Sequence, residues 1–440
     1  MLEADRRRTH EYPDCERRPI WVSLWRPSCR EHRRGSIALT LDTEAVVVAV
    51  SNAVDTIPLP PPPPPDLPLW FAYHSAMIPG PGLEPLVDVL RHQPDVAIFD
   101  NHLQQIGHQG RGVSLADLAR WLVSRARTVG AGHAVSDLAR YLKEDTFSIS
   151  EVCLLTGVNI SESVDVANGI RLLPFDQVPD SSQKRMFTPT FHDAFTFARQ
   201  APTAALMCHS QYPKHHVVAT GPVQLANVQN RFGDMNDARL ILALIVPNAS
   251  SLVAFWANPD DAVPLGDSSA GWQSTLGQDS GFHASATLTP TDLERLRSLY
   301  PLFCSLNPNH RQHLRLPLER LSRAVRRHDR TDSAIELGIA LEALLLNDMD
   351  EERGELTLRF RLRGARLLGQ TPEERAIIYR VLGQVYRLRS HAVHRGAIPE
   401  QLGRTPAGDI LTDGYRLAAR AIETLIRQGQ NPNWEQITLA

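Results

Sequence analysis

The chain has 440 residues, of which 42% are apolar and 22% charged, with a formal net charge of −3. This length accommodates two or three domains, and the apolar fraction excludes a predominantly disordered protein. No apolar run approaches the ~18 residues of a membrane-spanning helix; the longest, Leu240 to Val246, stands between Arg239 and Pro247.

Taken in chain order, residues 1 to 35 are Arg-rich and lack periodicity, and Ala45 to Val50 is a β-prone stretch. Six prolines, Pro60 to Pro65, impose polyproline II and read as a linker, so residues 1–68 form an N-terminal segment. Residues 69–288 mix patterns. Helices are predicted over Leu83 to His92, Ser114 to Val129 and Val135 to Lys143, and a strand pair over Ser150 to Ile160 and Val164 to Phe175. The segment Asp117-Leu-Ala-Arg-Trp-Leu recurs as Asp137-Leu-Ala-Arg-Tyr-Leu, too few copies for a solenoid. Ser251 to Asn258 reads as a strand and Gly266 to Ser285 as a loop or linker, so this portion is α+β.

From Thr289 onward the pattern is helical only, and residues 289–440 are predicted to form an all-α bundle. Its helices are Thr289 to Leu306, Leu314 to His328, Ser333 to Asn347, Glu355 to Leu368, Pro372 to about Val393, and Ile410 to Arg427. Thr289 and Thr371 are placed as N-caps, each followed by proline at the first helical position, and Ser333 with Glu336 reads as a capping box. Gly369 and Gly396 stand where C-terminal caps belong, with Pro399 beyond the second.

The N-terminus offers neither a secretory signal nor an acid-poor transit peptide, which makes a soluble, cytoplasmic protein the default expectation. The five cysteines form no C-x-x-C pair and fit free thiols in a reducing compartment. His310 to Gln430 carries 21 Arg against 16 acids, a surplus of +5, which leaves −8 for the rest of the chain. Only the C-terminal third has a balance that favours a polyanion.

A phosphate-binding Walker A loop, an H-E-x-x-H pair, a dinucleotide fingerprint and a G-x-S-x-G elbow are all absent. Cys208-His209 and His215-His216 supply residue types that zinc accepts, but adjacent residues on a strand point to opposite faces, so a strand or loop is the preferred reading and no metal or cofactor is expected.

The most informative segment is Tyr386-Arg387-Leu388-Arg389-Ser390-His391-Ala392-Val393-His394-Arg395-Gly396. Ile378, Leu382, Val385, Leu388 and Ala392 form an apolar helical stripe, and at about 100° per residue Arg389 falls in its middle. A guanidinium there needs an acid, an anionic ligand or a partner surface. His394 lies about 140° round from Arg389 on a continuous helix, and the expectation is that the turn before Gly396 unwinds and brings the two together. An imidazole that exchanges protons near neutral pH, beside a guanidinium that grips phosphate, is an RNase pair. Glu342, inside the apolar run Leu337 to Leu346, is expected either to orient Arg389 or to pair with Arg363 or another bundle arginine. Arg359, Arg363 and Arg366 share a helix face and are candidate phosphate contacts, although a solvated face accounts for them equally. His391 ranks second to His394 as the imidazole.

This stretch resembles the R-x4-6-H motif of HEPN domains, and more specifically the Apea-like HEPN family, with Ser390 as the polar residue after the arginine. Three blocks carry the resemblance: Asp332 to Leu346, the Arg-rich Glu355 to Gly369, and the long helix leading to Arg389 and His394, together spanning about residues 313 to 428. Arg395-Gly396 stands where His-Gly is more usual. The resemblance implies a helical bundle that commonly dimerises and often acts as a metal-independent endoribonuclease in prokaryotic antiphage or toxin systems. Arg389 and His394 would be its catalytic pair, supported by Ser390, Glu342 and His391, with Arg387 and Arg395 as further RNA contacts. The products would carry 2′,3′-cyclic phosphates. The acidic portion before residue 289 is expected to sense a phage-derived trigger or restrain the nuclease. The alternative is a non-catalytic dimerisation or RNA-binding regulator.

Overall fold

The computed structural model describes residues 40–58, 82–107, 109–185, 187–188, 201–218, 231–246, 251–266, 272–274, 285–347 and 355–439. The Arg-rich segment over 1–35 and the Pro60 to Pro65 linker lie outside these residues, as does most of the expected loop over Gly266 to Ser285. Residues 39–440 form one compact unit.

Its α-helices longer than a single turn, among the described residues, are α1 (Thr43–Thr56), α2 (Glu84–Arg91), α3 (Leu115–Val129), α4 (Ala131–Lys143), α5 (Phe232–Ile245), α6 (Pro290–Ser305), α7 (Pro308–Arg326), α8 (Arg330–Leu345), α9 (Leu356–Leu368), α10 (Pro372–Arg395), α11 (Ala407–Gln428) and α12 (Trp434–Leu439). The strands are β1 (His102–Ile106), β2 (Gln109–Val113), β3 (Thr146–Thr156), β4 (Val158–Asn159), β5 (Val164–Ala167), β6 (Ile170–Pro174), β7 (Ala204–Pro213), β8 (His215–Val218), β9 (Ser251–Pro259), β10 (Trp272–Ser274), β11 (Ala286–Thr287), β12 (Gln401–Leu402) and β13 (Thr405–Pro406). An α+β portion followed by a helical C-terminal region is therefore what the chain adopts.

The central sheet is antiparallel, in the order β10-β9-β3-β7-β6-β5. Alternation along β3 sends Cys153 and Leu155 to one face and Val152 and Leu154 to the other, and all four are fully buried. The second face packs around Trp256, on which Phe187 stacks with ring centroids 6.4 Å apart. The first face meets α5, which is buried along nearly its whole length and is in turn covered by α6 and α7. Buried on nearly every side, α5 is a helix sandwiched between layers. One apolar core therefore runs from the sheet through α5 into the C-terminal helices, so residue 288 does not separate two cores. Polar ties reinforce the junction: Arg315 clamps Asp237 through two bonds of 2.9 and 2.6 Å, and Arg326 Nη1 donates to Ser251 Oγ at 3.0 Å.

At the other end of the sheet, α1 to α4 enclose a second core with Phe147, Ile149 and Tyr212. The two copies of Asp-Leu-Ala-Arg fall on neighbouring helices, α3 and α4, where Leu118 and Leu138 are fully buried and Arg125 reaches Asp137 at 2.9 Å.

Several expectations need correction. The helix expected from Leu314 begins at Pro308, because the Asn307 side chain caps it, and the region over 289–440 expected to be all-α contains the β12–β13 hairpin. The β-prone Ala45 to Val50 is part of α1, because the Asp42 side chain accepts from Ala45 N–H, and Val46, Val50 and Ala53 share one buried helical face. Tertiary packing overrides the preference of a valine run for strands. The expected strand Val164 to Phe175 is a hairpin turning at Asn168 and Gly169, whose φ values of 54° and 74° make the tight turn that Asn-Gly favours, and its neighbour is β7, not β3. The helix over α8 starts earlier than Ser333: Asp329 accepts from Thr331 N–H, while the Ser333 hydroxyl bonds Ala324 O and Glu336 pairs with Arg320. Within the expected loop, Trp272–Ser274 adds an edge strand to the sheet.

No helix among the described residues is long and apolar enough to cross a membrane.

Candidate functional site

The site lies on α10. This helix starts at Thr371, whose side chain accepts from Glu374 N–H at 3.2 Å, with Pro372 in the first turn; Glu374 returns the favour to Gln370 N–H at 2.8 Å. It ends at Gly396, which adopts the left-handed conformation with φ 67°. The predicted stripe is buried throughout: Ile378, Leu382, Val385, Leu388 and Ala392 are each no more than 5% exposed.

Arg389 stands in this stripe because α8 makes room for it. A side chain at Gly338 would place its Cβ 2.3 Å from Arg389 Cγ, so only glycine lets the arginine stem cross α8 there. One turn further along α8, Glu342 Oε2 accepts from Arg389 Nη2 at 3.1 Å. Each side chain retains 26% exposure. Burial pushes the Glu342 carboxyl up, and the adjacent guanidinium pulls it back. Arg389 Nε is buried and has no hydrogen-bond partner among the described residues. Among the described residues the guanidinium is thus held by one carboxylate, that of Glu342.

His394 is exposed, and Ser390 and His391 are half-buried. The expected unwinding does not occur: α10 is helical through Arg395, because the Gly396 cap accommodates the chain reversal without disturbing the last turn. On a continuous helix His394 is rotated by about 140° from Arg389 and displaced by about 7.5 Å along the axis. Within one copy the two side chains stand on different sides of α10.

The expected phosphate-binding face of α9 is also corrected in part. Arg363 is 8% exposed, donates from Nη1 to Leu345 O at 2.9 Å and covers the Trp434 ring, so it ties α9 to α8 and α12. Arg359 and Arg366 are half-buried. Arg361 lies flat on Tyr379, 3.7 Å from the ring centroid, in the space left by Gly383. Arg387 and Arg395 are exposed.

Two exposed arginines escaped the sequence reading: Arg380, one turn earlier than Gln384 on α10, and Arg404, in the β12–β13 hairpin. The first was legible in the spacing Arg380, Gln384, Arg387, His391, His394. The second depends on how the hairpin docks.

Cys208, His209, His215 and His216 do not converge. The Cys208 thiol faces Glu151 at 3.4 Å and is pushed up to about 12 by burial, while His209 Nδ1 meets the Ser150 hydroxyl at 3.1 Å. His215 and His216 belong to β8, in a different sheet. Among the described residues no three His, Cys, Asp or Glu side chains are grouped to hold a metal ion.

Compared with known protein families, curated proteins and solved structures, the chain matches none.

Proposed function

We propose that the C-terminal helices form a HEPN-like bundle and that the protein is a metal-independent endoribonuclease of antiphage or toxin type. The observation that carries the reading is Arg389: a guanidinium built into an apolar stripe, seated over Gly338, with a buried Nε left without a partner among the described residues. A side chain needed only to pair with Glu342 would not require that donor to be buried and unsatisfied. The resemblance of residues 313 to 428 to the Apea-like HEPN family supplies the reaction.

In this reading His394 takes the proton from a ribose 2′-hydroxyl and the oxygen attacks the adjacent phosphorus. The bond to the 5′-oxygen breaks, that oxygen takes a proton from solvent, and a 2′,3′-cyclic phosphate remains. The Arg389 guanidinium neutralises the charge that builds on the phosphoryl oxygens. Because the two groups stand on different sides of α10, one phosphate is served by Arg389 of one copy and His394 of another, which makes the active species a homodimer. The test is cleavage of total RNA by the full chain in excess chelator, with analysis of the 3′ ends. Cyclic phosphate ends that disappear with His394→Ala are expected, and cleavage unchanged by that substitution overturns the reading.

A second reading, a non-catalytic dimerisation or RNA-binding regulator, is favoured by the Arg389–Glu342 ion pair, which satisfies part of the guanidinium inside one chain. It predicts RNA binding, or dimerisation, with no cleavage.

A further inference from the structure

The protein pairs many of its arginines: Arg295, Arg315, Arg320, Arg416 and Arg427 each hold a carboxylate. The outer ridge of α10 is different. Arg380, Gln384, Arg387, His391 and His394 recur at alternating spacings of four and three, which aligns them along one side of the helix. Arg380 and Arg387 bond only carbonyls of their own helix, Ala376 O at 3.3 Å and Gly383 O at 3.4 Å, and neither has a carboxylate partner among the described residues.

The β12–β13 hairpin extends this ridge sideways. Gln384 Nε2 donates to Thr405 Oγ1 at 3.3 Å, which docks the hairpin against the middle of α10, and its turn presents exposed Arg404 beside the ridge. Between Arg380 and His394 α10 carries no acidic residue; Glu373 is exposed and Glu374 engaged in the cap at its start, and Glu400 is exposed just before the hairpin. From Arg380 to His394 the helix rises about 21 Å, a length that accommodates several nucleotides.

We infer that this ridge, Arg380, Arg387 and His394 flanked by Arg404, is a track for the phosphate backbone of a single RNA strand. It rests on the ribonuclease reading for the identity of the polyanion and adds the surface that the strand follows. Recognition is of phosphate more than of bases, because the tyrosines of α10 are engaged: Tyr379 is covered by Arg361, and Tyr386 packs on Phe360 with centroids 5.5 Å apart, which leaves the imidazoles of His391 and His394 as the ridge's own aromatic rings. The strand would leave the ridge at His394, which brings a ribose to the imidazole. Arg380 and Arg404 thereby become positioning residues.

The test is fluorescence anisotropy with a mixed-sequence 2′-O-methyl 20-mer, which carries the phosphates but lacks the nucleophilic hydroxyl. The full chain is compared with a triple variant, Arg380→Gln, Arg387→Gln, Arg404→Gln, and with a control triple, Arg91→Gln, Arg140→Gln, Arg416→Gln. The ridge variant is expected to bind at least about tenfold more weakly, with the slope of log affinity against log salt reduced by about two to three, and the control to stay within about twofold. A uridine 20-mer should bind the unsubstituted chain within a few-fold of the mixed sequence. Equal weakening by both triples, no weakening by the ridge triple, or no binding by the unsubstituted chain overturns the track. The two proposals fail separately: cleavage of natural RNA with ridge-independent binding removes the track and leaves the nuclease, whereas ridge-dependent binding without cleavage does the reverse.

Discussion

Arg389 and Gly338 are a matched pair: the arginine stem crosses α8 at the one position where a Cβ would stand 2.3 Å from Arg389 Cγ and 2.9 Å from Arg389 Cβ. Glu342 then receives the guanidinium one turn away, so a single stretch of α8 both admits the side chain and aims it. Gly338→Ala is expected to destabilise the protein by about 1 to 3 kcal/mol despite the better helix propensity of alanine, because the arginine or α10 must shift. Urea unfolding of the two proteins measures this, and an alanine variant of equal or greater stability contradicts the close packing.

The Arg389–Glu342 pair is partly solvated, so breaking it is expected to cost little stability. Glu342→Gln should lower unfolding free energy by about 1 kcal/mol or less. If the guanidinium serves phosphate, Glu342→Gln retains RNA cleavage whereas Arg389→Ala abolishes it. Loss of cleavage in both would assign the carboxylate a part in positioning the arginine that the neutral amide of glutamine cannot replace.

A shared site makes a specific demand on mixtures. Arg389→Ala and His394→Ala should each be inactive as homodimers and recover about a quarter of wild-type cleavage when unfolded and refolded together in equal amounts, since half the dimers are mixed and each mixed dimer has one of its two sites with an intact arginine and an intact histidine. Light scattering on the full chain should give a dimer. A monomer that still cleaves RNA removes the two-copy arrangement.

His216 gives a pH dependence. Its imidazole accepts or donates a 2.9 Å bond with the Tyr141 hydroxyl and packs edge-on to Phe99, and burial lowers it to about 4; Lys214, His102 and His215 add repulsion of its charged form. The unfolded chain protonates near 6.5 and the folded one near 4, so the unfolded state binds the proton first as pH falls. Stability from this group is therefore complete above about pH 6.5 and declines down to about pH 4, by at most about 3 kcal/mol. His216→Gln should flatten that part of the stability profile relative to the unsubstituted chain; an unchanged slope places the titration elsewhere.

The continuous core bears on any attempt to isolate the bundle. Residues 289–440 expressed alone would expose Leu299, Tyr300, Phe303 and Leu314, all buried in the core that includes α5. The fragment is expected to aggregate or to lack near-ultraviolet dichroism, whereas residues 39–440 should unfold cooperatively. A well-folded fragment would show that α5 is dispensable, and would return the acidic portion to the role of a detachable restraint.

The sequence by itself determined the helices of the C-terminal third and the apolar stripe of α10, because caps, prolines and periodic burial act within a few residues of one another. Thr371, Pro372 and Gly396 bound α10 without help from the rest of the chain. It also placed Arg389 within that stripe. The partner of Glu342 was open until the helices met: Arg389 and Arg363 both lay within the same third of the sequence, and only the crossing of α8 and α10 at Gly338 joined Glu342 to the first and sent the second to Leu345 and Trp434. The sandwiched α5, the helical Ala45 to Val50 and the docking of Arg404 beside α10 were likewise tertiary decisions. Each depends on surfaces brought together from distant parts of the chain, and local preference carries no information about which surface arrives.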